Sequence, residues 1–129
     1  PENFYHYTNI RIHGIDGRQT WNKGTFAEYY PEIYKRLAGK IVLAHNEVFD
    51  RSVLNSCIGH YRLSSKGLLL HKNWECTVQL SRKLGYHPNK LSDCCSRFDI
   101  PLQHHEALSD ARACALLYLK LMDQQHQNV

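Results

Sequence analysis

Asp50, His105 and Asp110 are the side chains of this sequence whose types and spacing could do chemistry. A histidine able to accept a proton, beside a carboxylate able to hold a divalent cation, is the pairing a hydrolase uses to activate water. The separation of five residues between His105 and Asp110 decides where each must sit. Within one helix, five steps overshoot a turn of about 3.6 residues and point the two side chains apart. They converge only if His105 lies in a loop and Asp110 on the helix that follows it.

That helix is legible from about residue 106 to 122, where Ala, Leu and Met predominate. Ala107, Ala111, Cys114, Tyr118 and Leu121 form a stripe at helical spacing that predicts a core-facing side, with Asp110 at its margin looking into a cleft. Asp50 is positioned differently. Lys40-Ile-Val-Leu-Ala44 is an apolar run of strand length without alternation, predicting a strand buried on both faces in a parallel sheet. It runs directly into Ala44-His-Asn-Glu-Val-Phe-Asp50, and a helix from about 47 to 59 follows with Asn46 as its cap. Asp50 falls in the first turn, where the positive end of the helix dipole favours an ionised carboxylate. Loops at the carboxyl ends of such strands carry the chemistry of α/β proteins.

The remaining elements follow from local signals. Residues 1 to 25 show little periodicity and read as a surface segment, in which Ile10 and Ile12 form a short strand or an anchor and Gly14 permits a turn. Thr25 and Glu28 make a capping box for a helix over 26–37, closed by Gly39, with Pro31 inside it. Residues 61–73 read as an edge hairpin or an insertion, and Trp74 to Thr77 as a short strand whose Thr77 caps a helix over 78–84. A further helix covers 91–98, and the polar tail from Asp123 to Val129 is expected to fray. One strand with two short companions cannot cover that many apolar helix faces, so further strands are expected from another chain or from residues preceding Pro1.

A chain of 129 residues suits one domain with its own core. Its 43% hydrophobic and 22% charged residues are those of a soluble globular protein, and no apolar run is long enough for a membrane span. With no signal peptide visible, a cytoplasmic location is expected. Five cysteines, an odd number, argue for reduced thiols rather than a disulfide framework. A formal net charge of +4 is compatible with a nucleic-acid partner without demanding one.

His45-Asn-Glu-Val-Phe-Asp50, followed some sixty residues later by His105-Glu-Ala-Leu-Ser-Asp110, resembles the second and third motifs of the DEDDh, or DnaQ-like, 3′–5′ exonucleases. Ile12-His-Gly-Ile15, Thr25-Phe26 and Cys76-Thr77 fall in the same order, so the resemblance covers nearly the whole chain. It implies an α/β, ribonuclease H-like exonuclease fold. It implies Asp50 and Asp110 as metal carboxylates, His105 as general base with His104 as its neighbour, and His13, Gly14, His45, Asn46 and Phe49 lining the terminal nucleotide. Intact relatives hold two Mg²⁺ or Mn²⁺ ions about 3.5–4 Å apart. Their substrate is nucleic acid, here expected to be a single-stranded 3′ end, DNA before RNA, and a homodimer or a larger polymerase assembly is among the partners the resemblance admits.

The family's opening Asp-x-Glu motif occurs nowhere in the sequence. By the family pattern the chain is N-terminally truncated, begins after the first three strands, and is expected to be impaired as a nuclease. A nucleic-acid- or protein-binding module derived from an exonuclease is the alternative. A structural zinc site from Cys94, Cys95, His104 and His105 is disfavoured, because adjacent ligand pairs do not match the usual spacing of zinc ligands.

Overall fold

The computed structural model describes residues 5–127. Its elements in chain order are α1 (Tyr7–His13), α2 (Gly17–Thr20), α3 (Phe26–Leu37), β1 (Val42–Ala44), α4 (Glu47–His60), a 3₁₀ turn (His71–Asn73), β2 (Trp74–Cys76), α5 (Thr77–Lys83), α6 (Leu91–Arg97) and α7 (Ala107–Gln127). The strands pair in parallel, with Val42 opposite Trp74, Leu43 opposite Glu75 and Ala44 opposite Cys76. Parallel neighbours require a crossover connection, and α4 supplies it. The architecture is mixed α/β and dominated by helix, as the ribonuclease H-like expectation requires.

Two cores flank the strand pair. Leu91, Cys94 and Cys95 of α6 pack with Ile100 against Ala113, Leu117 and Leu121 of α7, and Leu80 and Leu84 of the α5 region close the cluster. Tyr30 of α3, Ile58 of α4 and Leu68 form the second. The buried Trp74 ties the connection to β2 by donating its indole N–H to the Leu68 carbonyl at 2.9 Å.

α3 occupies the residues its capping box predicts, with the Thr25 N–H donating to Glu28 Oε2 at 2.6 Å. Other expectations need correction. Residues 7–13 form a helix rather than a strand or loose anchor. It is opened by the Thr8 N–H donating to His6 Nδ1 and closed by Gly14 at φ 72, a left-handed position that glycine adopts without steric cost. Residues 61–73 contain no strand; turns and the 3₁₀ helix carry them, and Leu68 buries their one deep anchor.

β1 is buried at Ala44 and only half-buried at Val42 and Leu43, so it is not covered on both faces among the described residues. The core stripe of α7 is Ala113, Cys114, Leu117 and Leu121, whereas Ala107 and Ala111 are exposed and Tyr118 half-buried. α7 also continues through Asp123 to Gln127, because nothing in that polar stretch breaks a helix; residues 128 and 129 lie outside the described residues, as does Pro1.

Candidate active site

The carboxyl end of β1, the first turn of α4, the start of α6 and the first turns of α7 enclose a cleft of about 640 Å³. It is lined by Leu43, Ala44, His45, Phe49, Asp50, Lys90, Leu91, His104, Ala107, Asp110 and Ala111. Asp50 and Asp110, some sixty residues apart in sequence, therefore share one concave surface. β1 delivers the first through the turn at His45-Asn46, and the turn before α7 delivers the second.

Asn46 occupies the cap position of α4, but through a left-handed backbone at φ 77 and not by a side-chain hydrogen bond. Asparagine tolerates that conformation better than most residues. The reversal it makes sends the chain straight from strand to helix, and Asp50 reaches the cleft one turn later. Crowding around the Asp50 carboxyl raises its pKa above the ordinary aspartate value; its own backbone N–H opposes the shift and the nearby Glu47 charge reinforces it. Glu47 itself is buried, held by Arg51 at 2.9 Å and facing His71 at 3.6 Å, and this fixes the first turn of α4.

His105 lies in the turn before α7, at φ 67, as its spacing from Asp110 requires. His104 Nδ1 stands 3.7 Å from Asp110 Oδ1, and the two imidazole rings lie 3.8 Å apart by centroid. Potential ligand atoms of His104, His105 and Asp110 all fall within 4.8 Å of one another. Asp110 Oδ1 is buried without a hydrogen-bond partner, which leaves a carboxylate oxygen in the cleft wall with unused acceptor capacity.

These donors fit a divalent cation. The carboxylates of Asp110 and Asp50 are the hard oxygen ligands that Mg²⁺ and Mn²⁺ prefer, and the adjacent imidazoles suit softer first-row ions. A zinc site built on Cys94 and Cys95 does not fit, because both are buried inside the α6–α7 core and burial pushes the Cys95 thiol up, away from the thiolate a metal needs.

His45 closes one side of the cleft. Its Nε2 lies 2.9 Å from the Asn89 carbonyl, which can only accept, so Nε2 carries the proton. Its Nδ1 lies 2.8 Å from Thr77 Oγ1. In the neutral ring that nitrogen accepts from the Thr77 hydroxyl, which in turn sits 3.6 Å from Cys114 Sγ. Desolvation lowers the His45 pKa, with the Asn89 hydrogen bond opposing in part, and keeps the ring neutral. Thr77, expected as a cap, is the first residue of α5 and fully buried; Cys76 holds the cap position.

Of the residues that sequence singled out for the nucleotide, His45 and Phe49 line the cleft. Asn46 turns the chain beside it, whereas His13 and Gly14 belong to the exposed end of α1 and are not among the lining residues. Lys90 was not anticipated. It follows Pro88-Asn89 in a loop without hydrophobic periodicity, and only the His45–Asn89 bond, invisible in sequence, shows that it is held at the cleft.

A parallel strand pair with carboxylates and imidazoles gathered in a cleft at its carboxyl end defines an α/β protein whose cleft can hold a cation. The chain belongs to the exonuclease family: the family model described as exonuclease matches residues 1–118. It is 29% identical to the DNA polymerase III subunit epsilon of Rickettsia conorii over 127 residues, covering 95% of this chain and 55% of that one. It is 28% identical over 116 residues to the PolC-type DNA polymerase III of Caldanaerobacter subterraneus subsp. tengcongensis, covering 88% of this chain and 8% of the relative. It is 32% identical over 106 residues to the 3′-5′ exonuclease DinG of Staphylococcus haemolyticus, covering 79% and 11%. The chain thus spans about half of the first of these and about a tenth of the other two.

The resemblance to DnaQ-like exonucleases is borne out, and the exonuclease domain implies use of divalent metal in general. No described helix is long and apolar enough to cross a membrane.

Proposed function

We propose that this chain is the exonuclease domain of a metal-dependent 3′–5′ exonuclease that removes terminal nucleotides from a single-stranded 3′ end, DNA in preference to RNA. The observation that carries the reading is the meeting of Asp50, Asp110 and the His104–His105 turn at one cleft. Asp50 and Asp110 hold divalent cation, Mg²⁺ or Mn²⁺, which when bound supplies an activated water and stabilises the leaving oxygen. His105 takes the proton from the attacking water, and His104, against Asp110, orients it. Phe49, 63% exposed at the cleft, offers a face on which the terminal base stacks. The polymerase names of two relatives support work beside a polymerase.

A second reading rests on one observation: among the described residues, Asp50 and Asp110 are the carboxylates that line the cleft. On that reading the chain binds nucleic acid without cutting it. Incubation of the chain with a 5′-labelled single-stranded deoxyoligonucleotide and Mn²⁺ separates the two. A ladder shortening from the 3′ end supports the exonuclease. An intact oligonucleotide that is nevertheless retained on the protein supports the binding module.

A further inference from the structure

A second concave site lies at the other end of β1. Lys40, Lys66 and Lys72 line a pocket of about 260 Å³ together with Tyr34, and no carboxylate is among the lining residues. None of the three lysines makes an ion pair among the described residues. Three separate elements contribute them: the exit of α3, the turn before Leu68, and the 3₁₀ helix ahead of β2.

The local backbone is specialised for this. Lys66 sits at φ 46, a left-handed position where a side chain costs energy that glycine would not, and its ammonium lies 5.3 Å from the centre of the Tyr34 ring. The carbonyls at the end of α3 attract one cation there, but they do not account for three. Like charges collected around a concavity without counterions repel one another, and an anion relieves that repulsion.

We propose that this pocket is a phosphate-binding exosite that grips the backbone of a nucleic acid. The choice of nucleic acid over a free phosphate compound rests on the exonuclease reading, while the anion site itself does not. Residues 40 to 45, of which Val42–Ala44 are strand, span at most about 16 Å at roughly 3.3 Å per fully extended residue. At no less than the ~3.4 Å rise of a duplex strand, that distance takes about five nucleotides or fewer. A single strand of several nucleotides whose 3′ end sits in the cleft can therefore reach the lysines.

The test is fluorescence anisotropy of a labelled single-stranded 20-mer deoxyoligonucleotide in EDTA, titrated at several salt concentrations. The proteins are the wild type, the triple variant K40Q/K66Q/K72Q, its K40R/K66R/K72R counterpart and the single variant K72Q, each checked for folding by circular dichroism.

At about 0.7 per phosphate contact, the slope of log affinity against log salt should fall by about 2 in the glutamine triple and by about 0.7 in K72Q. It should hold in the arginine triple. A glutamine triple with wild-type affinity and slope overturns the exosite. Binding of inorganic pyrophosphate but not of the 20-mer overturns the nucleic-acid assignment. A slope lost with the lysines in a chain that cleaves nothing supports the exosite while counting against the exonuclease reading, so the two proposals fail separately.

Discussion

His104 Nδ1 lies 3.7 Å from Asp110 Oδ1, and its ring covers the ring of His105 at 3.8 Å. Two imidazoles thus compete for one carboxylate, and the division of labour between them is measurable. On the proposed function, His105, one residue nearer α7, is the general base and His104 a positioning residue. His105→Ala should reduce kcat by about 10²–10⁴-fold with oligonucleotide affinity retained. His104→Ala should lower kcat less and shift the Mn²⁺ concentration needed for half activity. Equal losses from both, with the Mn²⁺ requirement unmoved, would reverse or erase the assignment.

Asp50 gives a prediction of opposite sign in stability and activity. Its folded-state pKa is raised, so the ionised carboxylate works against folding at neutral pH, and stability is gained as pH falls through the folded value. Asp50→Asn should therefore raise the Tm of the metal-free chain at pH 7. It should also reduce the further rise in Tm that Mn²⁺ produces. Differential scanning fluorimetry with and without Mn²⁺ checks both, and a lower metal-free Tm in the variant would contradict the first.

Much of this site was legible because the motifs are local. His45 through Asp50 crosses a strand end, and the five-residue step from His105 to Asp110 excludes a shared helix. The bounds of α3 were readable because Thr25 and Glu28 mark its start chemically. α1 was not, because its cap is the imidazole of His6 and the helix has no buried side from which a periodic pattern could arise. The α7 stripe is legible at Cys114 and Leu121 but not at its start. Alanines at 107 and 111 look like core residues by type, but in the fold they form the low wall of an open cleft, and burial passes to Ala113 and Leu117. Lys90 and the lysine pocket depend on contacts between distant segments, which no local signal carries.

His45 should make the fold sensitive to mild acid. Its pKa is lowered in the native state, so below the ordinary histidine value of 6.5 the unfolded chain takes up a proton that the folded chain does not. Stability is full above about pH 6.5 and is lost as pH falls from there toward the depressed folded pKa. His45→Gln, unable to titrate, should flatten the urea midpoint between pH 7 and 5.5 even if it lowers the midpoint at pH 7. An unchanged pH slope would mean that another group controls it.

Leu117 is fully buried between α6 and α7 in the core that carries the turn of His104 and His105. Leu117→Ala should cost about 2–5 kcal/mol through lost burial and the cavity left behind. Chemical denaturation measures it. Leu116, 46% exposed one residue earlier, serves as the control, and its alanine variant should stay within about 0.5 kcal/mol. A comparable loss from both would mean that the facing of α7 has been misplaced.

Metal stoichiometry is the last expectation and follows from charge. Among the described residues, Asp50 and Asp110 are the two carboxylates on the cleft, and the Lys90 side chain lines it as well, so the formal charge they offer to cations is small. Two Mg²⁺ or Mn²⁺ ions about 3.5–4 Å apart repel strongly and need several anionic ligands between them. Isothermal titration of the 129-residue chain with Mn²⁺ should give no more than one site, weakened by Asp50→Asn and abolished by Asp110→Asn, whose Oδ1 is the unpartnered acceptor. Two tight sites on the chain by itself would show that the cleft recruits carboxylates other than Asp50 and Asp110.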